Sequence, residues 1–359
     1  MQNEERQPIP VTIITGFLGA GKTTLLNNIL HGDHGLKVAV LVNDFGSVNI
    51  DAQLIVGVEG ETVNLANGCI CCTIRDDLFR ATYDLIRRPQ PPEYIIVETS
   101  GVSDPLQVAQ TFMLPELSDL IHVDSIVTVV DAEQLPTLKG ENSMLAMAQM
   151  AVADMIILNK VDLVPPNQLQ ALKKDWMYPQ ARVFETSFAK VPLELLLGVG
   201  RFDLAQLLRG EATDVHVHDA DNAHDEHARH EHADHSLVFN TWSWRSEEPL
   251  SFKALRKAVK TLPPTIYRAK GFLYLEDAPD RKGELHVVGT RVRLTLGEAW
   301  EGKPYSQIVV IGAAGGVNAD ALQERFDETI AANDKRSVFA KAMGSLTEWV
   351  RGGDTSGPM

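Results

Sequence analysis

Five runs in the first two hundred residues are apolar at nearly every position: VTIIT (11–15), VAVLVN (38–43), YIIVETS (94–100), SIVTVVD (125–131) and MIILNK (155–160). Continuous apolar character belongs to strands covered on both faces, which predicts a parallel sheet sandwiched between helices. The intervening segments carry helical spacing; in DDLFRATYDLIRR, Leu78, Thr82, Leu85 and Ile86 fall on one face. A doubly wound α/β domain follows, and in such sheets ligands collect at the carboxyl ends of the strands. Past residue 235 the pattern changes. SLVFNTWSWR, GFLYLED, ELHVVGTRVRLTL and YSQIVVIG alternate, and FKALRKAVKTL is helical. They predict a small α+β domain with an antiparallel sheet. Trp242 and Trp244, two residues apart, share a sheet face and read as core.

Residues 211–235, EATDVHVHDADNAHDEHARHEHADH, fit neither pattern, because almost nothing in them can enter a core. The predicted organisation is therefore an α/β domain over 1–210, a His-rich flexible linker over 211–235, an α+β domain over 236–330, and a C-terminal helix and tail over 331–359. A formal net charge of -15, with 33 Lys and Arg against 48 Asp and Glu, argues against a nucleic-acid partner. No apolar run reaches the length of a membrane span, and the opening MQNEERQPIP is too polar for a secretory signal. Both point to a cytoplasmic protein.

Strand ends carry the candidate chemistry. GFLGAGKTT, Gly16 to Thr24, fits Gly-x-x-x-x-Gly-Lys-Ser/Thr between a strand and the helical TTLLNNIL. Glycines let backbone N–H groups wrap phosphate oxygens at a helix start whose dipole favours anions. Gly16, Gly19, Ala20, Gly21, Lys22, Thr23 and Thr24 form the expected phosphate site, with Lys22 on the β- and γ-phosphates and Thr23 on Mg²⁺. NKVD, Asn159 to Asp162, supplies a carboxylate at Asp162 that can accept from guanine N1–H and its 2-amino group, which selects GTP. Asn159 would support the base edge and the loop, and the Lys160 stem would lie along the ring. ETSG places Glu98 beside the Mg²⁺ shell and Gly101 near the γ-phosphate. NDFGSVNID offers Asp44 and Asp51 in a glycine-bearing loop, where Asp44 would orient the attacking water or ligate metal.

All three cysteines, Cys69, Cys71 and Cys72, fall within four positions. That is no disulfide framework. They precede a helix expected to begin near Thr73, with Thr73 and Asp76 spaced as a capping pair, and a helix amino terminus favours the metal-binding thiolate. Three sulfurs leave a tetrahedral Zn²⁺ shell one ligand short, as suits metal handover. In the linker His216, His218, His224, His227, His230, His232 and His235 stand among acids and would collect zinc, cobalt or nickel loosely near the cysteines.

GFLGAGKTT, GCICC, ETSG and NKVD, in that order, resemble the CobW-type metallochaperone GTPases of the SIMIBI class, which include the zinc-regulated GTPase metalloprotein activators. The resemblance runs from about residue 10 to about residue 325. It implies a doubly wound P-loop GTPase domain joined to a small α+β domain, Zn²⁺ or in some branches Co²⁺ on the motif cysteines, slow GTP hydrolysis, and coupling of nucleotide state to metal transfer to a client metalloprotein. Nucleotide- or metal-dependent pairing of two copies goes with it. The family commonly has Asn-Glu-Phe-Gly followed by another Glu, where this chain has Asp44 and Ser47. Two other readings stay open: a metal-storage protein with a vestigial GTPase, and a regulatory GTPase in which metal is incidental.

Overall fold

The computed structural model describes residues 8–32, 34–43, 62–64, 72–197 and 239–333, which divide into two compact units. The first contains β1 (Ile9–Thr15), α1 (Lys22–Leu30), β2 (Val38–Asn43), β3 (Thr62–Asn64), α2 (Cys72–Ile86), β4 (Tyr94–Thr99), α3 (Pro105–Phe112), α4 (Pro115–Ser118), β5 (Ile121–Asp131), α5 (Glu141–Ala151), β6 (Met155–Asn159), α6 (Pro166–Trp176), β7 (Val183–Glu185) and α7 (Leu193–Leu196). Its sheet runs β3-β2-β4-β1-β5-β6-β7. Every strand pairing is parallel. The chain passes from β1 to β2 on one side and returns from β4 to β5 across β1, so the strand order reverses at β1. The loop after β1 sits at this switch point, where doubly wound sheets bind ligands.

All five predicted strands are present, with β5 starting earlier, at Ile121. The edge strands β3 and β7 have three residues each, too few for any periodicity to show. α2 starts at Cys72, one residue before the expected Thr73. Leu78, Leu85 and Ile86 of α2 join Val11, Ile13, Leu41, Val97 and, from α3, Val108, Ala109 and Phe112 in one core. Asp104 caps α3 by accepting from Leu106 N at 2.9 Å, with Pro105 at the first helical position.

A polar network crosses the strands within the sheet. Tyr94 Oη donates to Asp124 Oδ2 at 2.8 Å and meets Thr12 Oγ1 at 2.8 Å; Thr12 Oγ1 also meets Ser125 Oγ at 3.0 Å. Tyr94 is fully buried and Asp124 nearly so. Tyr94→Phe keeps the ring and removes a donor from a buried carboxylate, so unfolding free energy falls by about 1–3 kcal/mol in a urea titration.

The second unit contains β8 (Phe239–Ser246), α8 (Phe252–Lys260), β9 (Ile266–Leu275), β10 (Ala278–Val288), β11 (Arg291–Ala299), β12 (Ser306–Ala313) and α9 (Ala319–Asp327). The sheet order is β11-β10-β9-β12-β8, and β12 is antiparallel to both neighbours. Phe252, Leu255 and Val259 of α8 and Leu322 and Phe326 of α9 cover one face, against Trp244, Ile308 and Val310. Trp242 and Trp244 do share that face. Each ring lies 5.8 Å from the Phe326 ring, and Trp244 Nε1 donates to Asp327 Oδ1 at 2.9 Å. The linker over 211–235, the boundary at 210 and almost all of the predicted C-terminal helix and tail fall outside the described residues.

Candidate nucleotide site

The loop from Gly16 to Gly21 joins the buried strand β1 to α1. Gly16 has φ +137°, and a Cβ there would lie 2.0 Å from Val129 O; Gly21 has φ +106°, and a Cβ there would lie 2.5 Å from Asn159 Nδ2. Only glycine satisfies both the backbone angle and the space. α1 has no acid in its first turn and no side-chain cap, so its amino-terminal N–H groups are kept for an anion. Lys22 is buried and its Nζ donates to Phe17 O at 3.4 Å, back across the loop. Ala20 is buried, whereas Gly19 and Thr24 are exposed.

Thr23 Oγ1 donates to Glu98 Oε1 at 2.8 Å. Glu98 is buried at the end of β4, which pairs with β1 through Ile14 and Glu98. Parallel register thus brings together two residues 75 positions apart. A hydroxyl that donates to a carboxylate keeps its lone pairs, so the pair offers hard oxygen donors and no nitrogen or sulfur, the donor chemistry that suits Mg²⁺.

On the other side of β1, the end of β6 carries Asn159, Lys160 and Asp162, the residues expected to read the base. Asn159 is buried and uses both ends of its amide: Nδ2 donates to Ala20 O at 2.9 Å and Oδ1 accepts from Ala189 N at 2.8 Å. Lys160 is left-handed, with φ +60°. Its Nζ pairs with Asp131 Oδ2 at 2.6 Å, while Asp131 Oδ1 accepts from Glu133 N and Gln134 N, each at 3.0 Å. Asp162 follows in a short 3₁₀ turn with its carboxylate exposed. Asn159 thus ties Ala20 to Ala189, and Lys160 is steered by an acid that the motif does not contain.

Three participants were not foreseen from the sequence. Asp131 ends a predicted strand and stands opposite Asn159 in the β5–β6 register, so its place at a strand end was the available signal. Phe188 and Ala189 carry positive φ of 56° and 52°, and Asn28 Nδ2 holds their carbonyls at 3.0 and 2.9 Å. Left-handed backbone in non-glycine residues leaves no mark in sequence. A Cβ on Gly101 would lie 2.8 Å from Leu18 N and 2.9 Å from Leu18 Cα, so the loop after β4 touches the 16–21 loop. Asp44, Asp51, Cys69, Cys71 and the histidines 216, 218, 224, 227, 230, 232 and 235 lie outside the described residues. Cys72 is placed by its backbone, as the first residue of α2.

Residues 10–183 match the CobW/HypB/UreG nucleotide-binding domain and residues 239–330 the cobalamin synthesis protein cobW C-terminal domain. A zinc chaperone CobW from a Sinorhizobium species is 30% identical over 336 residues, covering 85% of this chain and 92% of that protein. The chain belongs to the CobW family. With its phosphate loop, its Asn-Lys-x-Asp corner and CobW-type domains in order, it is a P-loop GTPase. Another member of similar sequence, the zinc-regulated GTPase metalloprotein activator 1 of Dictyostelium discoideum, is 29% identical, covering 80% of this chain and 67% of its own length. Among solved structures, the Zn(II)-bound YjiA GTPase from E. coli is 23% identical with a TM-score of 0.37, over 90% of this chain and 99% of that one.

Proposed function

We propose that this CobW-family GTPase carries a transition-metal ion, zinc in the first instance, on Cys69, Cys71 and Cys72 and passes it to a client metalloprotein in the cytoplasm, with nucleotide state setting how tightly the ion is held. Lys22 and the N–H groups of the 16–21 loop stabilise charge on the transferred phosphoryl group. Thr23 and Glu98 would hold Mg²⁺, which supplies neutralisation of the β- and γ-phosphate oxygens. Asp162 reads guanine, Asn159 and Lys160 hold that corner in place, and Asp44 is assigned to the attacking water. Zinc and cobalt are cargo in this scheme, and the linker histidines 216 to 235 feed the cysteines. Leu18 and Val102, exposed on the two touching loops, give an apolar rim for the nucleotide-dependent pairing of two copies that belongs to the same proposal. No helix among the described residues is long and apolar enough to cross a membrane.

The observation that carries this reading is a shared core. α2, which begins at Cys72, packs through Leu78, Leu85 and Ile86 against Val108, Ala109 and Phe112 of α3, and α3 follows directly on the Gly101 loop. A displacement of that loop on loss of the γ-phosphate is passed to α3 and from there to the helix whose amino end carries a motif cysteine. Zn²⁺ titration of the full chain with GTP analogue, GDP or no nucleotide, read by competition with a chromophoric chelator, is expected to give affinities that differ by about tenfold between states. The Cys69, Cys71 and Cys72 to Ser triple variant loses the tight site. One affinity across all three states excludes the coupling and leaves a metal buffer.

A further inference from the structure

Gln149 belongs to none of the motifs. It lies on α5, is buried, and donates through Nε2 to Gly101 O at 3.2 Å and to Ser103 O at 3.1 Å. Carbonyls only accept, so both amide hydrogens are committed to the loop that follows β4, and the orientation of the amide is fixed by its partners. The Gln149 main-chain carbonyl separately accepts from Thr128 Oγ1 at 2.8 Å, which fastens this turn of α5 to β5. Gln149 Oε1 is buried with no hydrogen-bond partner among the described residues, a cost that filling space with an apolar side chain would avoid.

The loop that Gln149 holds is otherwise closed by its own bonds: Ser103 N donates to Ser100 O at 3.0 Å and Val102 N to Ser100 Oγ at 3.4 Å. The Gly101 and Ser103 carbonyls are thus occupied from the α5 side, and Gly101 itself abuts Leu18 of the phosphate loop. Among the described residues no backbone carbonyl accepts the Gly101 N–H.

We propose that Gln149 is a positioning residue of the GTPase: by holding the Gly101 and Ser103 carbonyls it keeps the Gly101 N–H presented to the terminal phosphate, and so sets how strongly the protein distinguishes GTP from GDP. The proposal rests on the reading of the 100–104 segment as the nucleotide-responsive loop. A purely structural Gln149 would fasten α5 and affect both nucleotides alike.

The test uses the full chain, with GTP-analogue and GDP affinities measured by calorimetry and hydrolysis by single-turnover phosphate release. Gln149→Met keeps length and removes both donors. It is expected to lower the analogue affinity and the hydrolysis rate by about tenfold each, with GDP affinity held within about twofold. Gln149→Glu, which turns acceptors toward two carbonyls, loses more. Thr128→Val cuts the other fastening of α5; it is expected to lower the melting temperature and keep the parent ratio of affinities. A folded Gln149→Met protein with parent ratio and rate overturns the proposal, as does a Thr128→Val protein with the same loss of discrimination. Should the Met variant fail to fold, Gln149→Asn keeps the amide but withdraws it by one methylene, and the same loss of ratio or its absence decides. Gly101→Ala separates the two levels of argument. Discrimination lost there but kept in the Gln149 variants sinks Gln149 alone, and discrimination kept in Gly101→Ala sinks the reading of the loop.

Discussion

Lys22→Ala lowers kcat/KM for GTP by about a thousandfold, measured as phosphate release under multiple turnover. Lys22 is buried at the amino end of α1, and its ammonium lies against the carbonyl of Phe17. A cation already drawn out of water needs little reorganisation when charge moves onto the phosphoryl oxygens, and in that setting it acts more strongly than an exposed one. Lys22→Arg does not restore the rate. The planar guanidinium is wider than an ammonium and presents its donors in a fixed fork, so it does not reproduce the point charge of a lysine. The fold survives both changes, since β1 and α1 are held by Val11, Ile13, Leu25, Leu26 and Ile29, all fully buried. A parent-like urea midpoint confirms that the loss lies in catalysis.

The second large effect is a change of base. Asp162→Asn weakens GTP binding by about a hundredfold, because the amide Nδ2 now faces the guanine 2-amino group as a second donor, so that bond is lost, and the N1–H bond is left to a neutral acceptor. The same variant gains affinity for xanthosine triphosphate. Xanthine carries a carbonyl where guanine has its 2-amino group, and the new amide can donate to it. Asp162 is exposed on a 3₁₀ turn, so the substitution leaves the core untouched. Competition between the two nucleotides for parent and variant reads the exchange directly. Equal GTP affinity in the two proteins would remove Asp162 from the base site.

The phosphate loop, Thr23, Glu98 and Asn159 were legible in the sequence because their signals are local. Each lies within a residue or two of a strand end, the strands announce themselves by unbroken apolar runs, and parallel sheets bring such ends to one edge. The second unit was legible for a similar reason, since alternation placed Trp242 and Trp244 on one face before any contact was known. Gln149 and Asp131 were not. Gln149 sits on α5 among ordinary helix formers, and its two bonds span 48 and 46 residues, a separation that no spacing rule reaches. Asp131 was visible as the last residue of a strand but gained its role only through the β5–β6 register. Phe188 and Ala189 adopt angles their residue types disfavour, held there by Asn28 and Asn159. The strands β3 and β7 were missed because three residues carry no period.

Asn159 joins the 16–21 loop to the 188–189 turn through a single amide. With Ala20 O on one side of it and Ala189 N on the other, the spacing of the two loops is set by the protein's own hydrogen bonds. GTP therefore meets the protein as a chelating ligand meets a preset pair of donors: once one end has docked, the other finds its seat at high effective concentration. Guanosine and inorganic triphosphate, offered as separate molecules, forgo that advantage and each pay their own loss of translational freedom. Intact GTP is on this account expected to bind more tightly than guanosine and inorganic triphosphate offered together.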